Sequence, residues 1–372
     1  MTDKLLLTGA TGIIGKELTK YFLSNTSIPL VLLIHSKGKD LSSTEYVHSV
    51  LGLSPRDYGA RIHLLNADIT KKNLGLDSNK IKVCRDVNLA IHSAASTRFD
   101  LPIDDIRKIN VQGTINTIQF LEKNTNLSKF AFISTAYTSG KRTGIIRETE
   151  MEHTAGFVNT YEQSKYEGEK AVQEYSKKVP IAIYRISTVI GDSKTGKVEH
   201  FTAPHHALRI MYLGLASMIP GNPNSYVDLI PGDVAAETIS KLFLEHFKGN
   251  KVYHIIAGSE KSYTLKEILK KSYEYLKKHN PEWASRNYPL PTITTNEAFE
   301  LFMMSVEQAG NPLFCKVLRV MKYFAYQLSY SKIFEQRGLL ADLPDYQDKM
   351  PHIDTYYGKV VGYCLKTNWG RK

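Results

Sequence analysis

"KLLLTGATGIIGKELTKYFL", Lys4 to Leu23, is the stretch on which the fold turns. A short apolar run ends in small residues, and glycines then recur at positions 9, 12 and 15 before an apolar pattern with helical spacing begins. That order reads as strand, tight turn and helix. Glycines at such a turn let a pyrophosphate approach the backbone N–H groups at a helix N-terminus. Thr8, Gly9, Thr11, Gly12, Ile13, Ile14 and Gly15 are therefore candidate cofactor-binding residues.

Working outward, the same kind of buried apolar run recurs at 29–35, 61–67, 88–94, 129–135 and 181–187, with helical stretches between. The alternation predicts an α/β fold, a doubly wound parallel sheet of Rossmann-like type. Ligands bind such sheets outside the carboxyl ends of the strands, so "GATGIIG", "HSAAS" and "STAYTSG" are expected to face one crevice. Past residue 190 the rhythm changes to loops containing glycine and proline, followed by helices. The expected organisation is a dinucleotide-binding domain over 1–190, a returning strand near 251–258, and a smaller, mainly helical substrate lobe over 191–372. In that lobe, Thr264 and Glu267 read as a capping box. The aromatic segment 317–334 reads as an amphipathic helix packed on the lobe in preference to one lying on a membrane surface.

Composition supports a packed protein, with 42% hydrophobic and 23% charged residues among 372. No apolar stretch has the length of a signal peptide core or a membrane span, which makes a cytoplasmic location the expectation. The three cysteines form no CxxC pattern, and His205 and His206 lack a third ligand at recognisable spacing, so no metal is expected. The net charge of +11 favours anionic partners. Nucleic acid ranks last among them, since there is no basic tail or zinc-finger pattern.

The second strand ends in "LIHSKGKD", which offers His35, Ser36, Lys37 and Lys39 where an NAD site carries an acid; Asp40 comes too late. Cations there suit a 2′-phosphate, so NADP(H) is expected over NAD(H). Later strand ends add Asp68 with Ile69, then Ser93, Ala94 and Ala95, and finally Ser187. Asp68 is placed either to touch adenine or to cap a local turn. Asn110 serves either the cofactor loop or local structure. His92 is a backbone-contacting histidine or a proton carrier. Arg98 either meets a phosphate or pairs with Asp100 or Asp104.

Tyr161 and Lys165 lie one helical turn apart, on one face. An ammonium beside a phenol favours the phenolate and makes proton exchange practical near neutral pH. Thr135, ending the fifth strand, is positioned to hold a carbonyl oxygen beside that tyrosine. Lys165 also serves as a cofactor ribose ligand.

The order "TGATGIIG", "STAY", "YEQSK" resembles the extended branch of the short-chain dehydrogenase/reductase family. The resemblance implies Thr135, Tyr161 and Lys165 as catalytic residues. "HSAASTRFDLPIDDIRKINVQGT" (92–114), "FISTAY" and "VDLIPGD" are similar to fatty acyl-CoA reductases, and "VIGDSKTG" is closer to carrier-protein thioester reductases. It departs from them at Ile34-His35, where an arginine is common, and at "YRIST", which replaces a proline. An NADPH-dependent reduction of an acyl thioester, or of its aldehyde product, is what the resemblance implies, with acyl-CoA or an acyl carrier protein as partner. Two other readings stand beside it: a sugar-nucleotide epimerase, dehydratase or hydroxysteroid-type dehydrogenase, and a catalytically silent NADP-binding regulator.

Overall fold

The runs lack polar alternation because helices cover both faces of the sheet they build. In the computed structural model, which describes residues 3–36, 51–52, 61–310 and 312–371, β1 (Leu5–Thr8) leads into α1 (Ile13–Asn25). The sheet continues with β2 (Leu30–Ile34), β3 (Ile62–Asn66), β4 (Leu89–His92) and β5 (Lys129–Thr135). It is completed by β6 (Ile181–Ile186) and the returning strand β7 (Lys251–Ile255). The seven strands run parallel in the order β7-β6-β5-β4-β1-β2-β3. This is the doubly wound sheet expected from the sequence. Its strand order reverses between β1 and β4, which is where such sheets hold ligands.

Within each buried strand, alternate residues serve opposite faces. Leu5, Leu7, Leu30 and Leu32 pack with Leu18 and Phe22 of α1. Leu6, Val31 and Leu33 join the other core, with Ile118 and Leu121 of α2 (Gly113–Asn124) and Val172 of α3 (Thr160–Tyr175). A leucine buried this completely contributes about 2 kcal/mol. Just before α2 the chain makes one π turn over Lys108–Gln112, which contains the buried Asn110.

The remaining helices include α4 (Ala203–Tyr212), α5 (Gly232–Leu244), which packs on α1, and α6 (Leu265–His279). The start of α6 carries the expected capping box: Glu267 N–H donates to Thr264 Oγ1 at 3.3 Å, and Thr264 N–H donates to Glu267 Oε2 at 2.8 Å. A separate core lies past residue 190, where Leu208, Leu229, Ile268, Trp283, Tyr357 and Val361 meet.

The 317–334 expectation needs correction. The helix, Pro312–Ala325, ends midway, and Lys332–Phe334 is a short strand paired in parallel with Gly144–Ile146. The backbone groups of Lys332–Phe334 find partners in that strand, a solution that continuing the helix would forgo. Leu318, Met321 and Ala325 are buried, the first two against Met211, Phe299 and Met303. Among the described residues, no helix is long and apolar enough to cross a membrane. Cys84 and Cys364 are buried free thiols, and Cys315 is a partly buried one.

Candidate active site

The glycine turn owes its shape to missing side chains. Gly9 adopts φ +70°, and a Cβ there would meet the Ala94 nitrogen at 2.6 Å. A Cβ on Gly15 would come within 2.0 Å of the Gly9 carbonyl oxygen, so helix and turn touch with no room for a methyl. Gly12 sits at the N-cap of α1 with no side-chain cap, and the first turn holds no acid. The first N–H groups of α1 therefore lack a side-chain acceptor and suit an anion. Thr11 and Ile13 are half-buried, Ile14 is buried, and Gly12 is open to solvent.

Thr8 is buried, and its hydroxyl accepts from Ala94 N–H at 3.1 Å while meeting His92 Nδ1 at 2.8 Å. It shapes the crevice floor. The other nitrogen of His92 lies 3.1 Å from Thr114 Oγ1, and burial pushes the ring down to about 3, assisted by the nearby Lys165 charge. His92 is thus a neutral ring held between two threonine hydroxyls, where the sequence reading offered a backbone contact or a proton carrier. Ser93, Ala94 and Ala95 are half-buried along the crevice wall.

At the nucleotide end, His35 is exposed and Ser36 is buried with its hydroxyl unpartnered among the described residues. A buried orphan donor at the end of β2 fits a ribose or phosphate oxygen. Lys37, Lys39 and Asp40 lie outside the described residues. Asp68 caps its own turn, accepting from Thr70 N–H at 3.0 Å and Thr70 Oγ1 at 2.6 Å, and Ile69 packs against Gly113 of α2. Asn110 ties Ser96 to α3: it accepts from Ser96 N–H at 2.7 Å and donates to Ser164 Oγ at 2.9 Å. Asp68 thus caps a local turn, and Asn110 joins two segments beside the crevice. Ser187 lies near the buried Asp228 carboxylate, which accepts from the Ala257 and Gly258 N–H groups, and its own hydroxyl has no hydrogen-bond partner among the described residues.

Tyr161 and Lys165 project from the first turns of α3 toward the end of β5. The Thr135 hydroxyl lies near enough to the Tyr161 hydroxyl to favour its charged form, and Phe99 packs edge-on against the Tyr161 ring, centroids 5.6 Å apart. Tyr161 is half-buried, and burial pushes its hydroxyl up to about 12, with the Thr135 contact partly offsetting this. The expected lowering by Lys165 is absent, because that side chain turns elsewhere. Its Nζ donates to the Ile133 carbonyl at 2.7 Å and sits 4.1 Å from the centre of the Phe132 ring. Burial brings Lys165 down to about 7, with the Glu169 charge opposing. An ammonium has three donors, so the Ile133 bond leaves two for a ribose.

Arg98 forms a forked pair with Asp100, Nη2 to Oδ2 at 2.7 Å, and so takes the ion-pair side of its alternatives. His205 accepts at Nδ1 from Thr202 N–H and donates from Nε2 to the Ile190 carbonyl at 2.7 Å, so it caps α4. Among the described residues, no cluster of three or more His, Cys, Asp or Glu could hold a metal. Sequence reasoning missed His200, whose Nε2 lies 3.0 Å from the Thr11 carbonyl in the glycine turn. It sits 189 residues from its partner, and no local pattern marks it.

Known proteins share stretches of this chain. It is 23% identical over 313 residues to "Fatty acyl-CoA reductase wat" of Drosophila melanogaster, covering 73% of this chain and 60% of that protein. It is 27% identical over 290 residues to a linear gramicidin synthase polypeptide of Brevibacillus parabrevis, covering 75% of this chain but 6% of that one. The chain thus spans less than two thirds of either relative. The crystal structure of the terminal R domain from the myxalamid PKS-NRPS biosynthetic pathway superposes with a TM-score of 0.80 at 19% identity, covering 99% of this chain and 92% of that one. Residues 7–239, from β1 through most of α5, match the male sterility protein family, and the chain belongs to it.

Proposed function

We propose that the chain is an NADPH-dependent reductase that acts on the carbonyl of an acyl thioester, carried by coenzyme A or a carrier protein, or on the derived aldehyde. The observation that carries this reading is the nearness of the Thr135 and Tyr161 hydroxyls, with Lys165 one turn deeper and a glycine turn open at the other end of the same crevice. The acyl-reductase names of the relatives support the substrate class. The orphan Ser36 hydroxyl and the net charge of +11 support a phosphate-rich cofactor and acyl carrier.

When bound, the reduced nicotinamide supplies hydride. Gly9, Gly12 and Gly15 admit the pyrophosphate, the N–H groups of α1 face it, and Lys165 holds the ribose. Thr135 and Tyr161 donate hydrogen bonds to one carbonyl oxygen and stabilise the negative charge that grows there. A phenol held near 12 stays protonated at neutral pH, so Tyr161 is an acid ready to give its proton to that oxygen. Reduction of a thioester yields a hemithioacetal, which collapses to aldehyde and thiol.

Oxidation of NADPH with acyl-CoA, fatty aldehyde and sugar-nucleotide panels tests this. Tyr161→Phe is expected to lower turnover of the acyl substrates about a thousandfold while NADPH affinity stays within about threefold. Turnover of no acyl substrate, or turnover indifferent to the substitution, overturns the reading.

A further inference from the structure

The residue after Tyr161 is a buried carboxylate with distant partners. Glu162 is 2% exposed. Its Oε2 accepts from Val158 N–H at 3.1 Å, and its Oε1 accepts from Asn159 Nδ2 at 3.2 Å and from Gln327 Nε2 at 2.6 Å. The other end of the same amide, Gln327 Oε1, accepts from Lys332 Nζ at 2.6 Å. Lys332 is itself buried, donates to the Tyr330 carbonyl at 3.2 Å and begins the strand paired with Gly144–Ile146. An amide between a cation and an anion has one favourable orientation, so the three side chains hold one another in register.

The same segment reaches the threonine side. Phe334 stands edge-on to Tyr137, ring centroids 6.1 Å apart. Tyr137 donates its backbone N–H to Thr135 Oγ1 at 3.3 Å, and its hydroxyl accepts from Thr188 Oγ1 at 3.2 Å. Residues 327–334 thus touch the neighbours of both hydroxyls.

We infer that Gln327 and Lys332 are positioning residues, a brace from the C-terminal lobe that fixes the first turn of α3 and so aims the Tyr161 hydroxyl at the oxygen Thr135 holds. The inference rests on the proposed role of Tyr161 as proton donor. Neither residue is among those proposed to hold cofactor or substrate, so the brace governs the chemical step and leaves affinity for the nucleotide alone. Glu162 is faced by Lys332 from the short strand, by Tyr137 from the turn after β5, and by Tyr161 from α3 itself.

Four proteins test it: wild type, Gln327→Met, Lys332→Met and Lys332→Arg. NADPH affinity, steady-state rates and backbone hydrogen exchange of residues 158–165 are read on each. The brace predicts that Gln327→Met and Lys332→Met lower kcat ten- to a hundredfold. NADPH Kd and KM should stay within about threefold, and exchange should quicken over 158–165 alone. Lys332→Arg, which keeps the cation, should recover most of the rate. In Lys332→Met the acid limb of the rate profile should move up by about half a pH unit or more, because Glu162 loses the cation that favours its charge. Unchanged kcat, or kcat and NADPH affinity falling together with exchange quickening throughout the chain, overturns the brace. Exchange needs no substrate. Quickened exchange confined to 158–165 in a protein that turns over no acyl thioester sinks the reductase reading and keeps the brace; unaltered exchange with intact turnover sinks the brace alone.

Discussion

Two helices point their N-termini into the same crevice, and they end in opposite ways. The first turn of α1 has a glycine N-cap, no capping side chain and no acid, so its N–H groups face outward. The first turn of α3 is closed by protein: Asn159 accepts from Glu162 N–H at 3.0 Å, and Glu162 reaches back to Val158 N–H. The open terminus suits a ligand that brings its own negative charge. The closed one suits a side chain that must not wander. One crevice therefore combines a site made by leaving donors free with a site made by satisfying them.

The most damaging way to break the open end is Gly15→Ala. A methyl 2.0 Å from the Gly9 oxygen forces helix and turn apart, and NADPH affinity should fall at least about a hundredfold in a fluorescence titration. Affinity within threefold of wild type would mean the turn does not hold the pyrophosphate.

At the closed end, Lys165→Met should abolish turnover yet stabilise the cofactor-free protein. Burial holds Lys165 near 7 against an ordinary value of 10.5. Between those values the unfolded chain binds more protons than the folded one, so wild-type stability rises with pH across that window. The penalty of the buried charge is full below pH 7 and gone above 10.5. The substitution should therefore raise the melting temperature most at pH 6, by the equivalent of about 2 kcal/mol, and progressively less toward pH 10. A lower melting temperature at pH 6 would show that the Ile133 hydrogen bond and the Phe132 ring outweigh desolvation.

The smallest effect sharpens the contrast. Gly12→Ser gives α1 the cap it lacks, at a position whose φ of −76° suits a side chain once the Gly9 carbonyl oxygen, 3.2 Å from the added Cβ, gives by a few tenths of an ångström. Stability should rise by a few tenths of a kcal/mol while NADPH Kd rises about threefold, because the hydroxyl competes for the same N–H groups. A rise in stability with no change in Kd would separate the helix terminus from the cofactor.

The parallel sheet was legible because β1, β2 and β4 are continuous apolar runs, and covered strands need nothing else. The glycine turn and the Tyr161–Lys165 spacing were legible because each is local: three glycines in seven residues, and two side chains one turn apart. Glu162, Gln327 and Lys332 were not, since 165 residues separate the carboxylate from the amide and each alone looks like a solvated polar residue. Only tertiary packing puts them in the dark together. The 317–334 segment misled for a related reason. Its periodicity is helical as far as Ala325, but Lys332–Phe334 takes its conformation from a strand nearly two hundred residues upstream.

The edge strand β7 has a consequence for how the molecule can be divided. Lys251–Ile255 pairs along β6 and comes from well past residue 190, so synthesis must pass residue 255 before the sheet can close. A fragment cut near residue 190 would present the whole flank of Ile181–Ile186 as an unpaired row of N–H and C=O groups, a template for the next copy of itself. The sheet is one unit in architecture, and a piece of it severed from residues 251–255 would carry an edge built to aggregate.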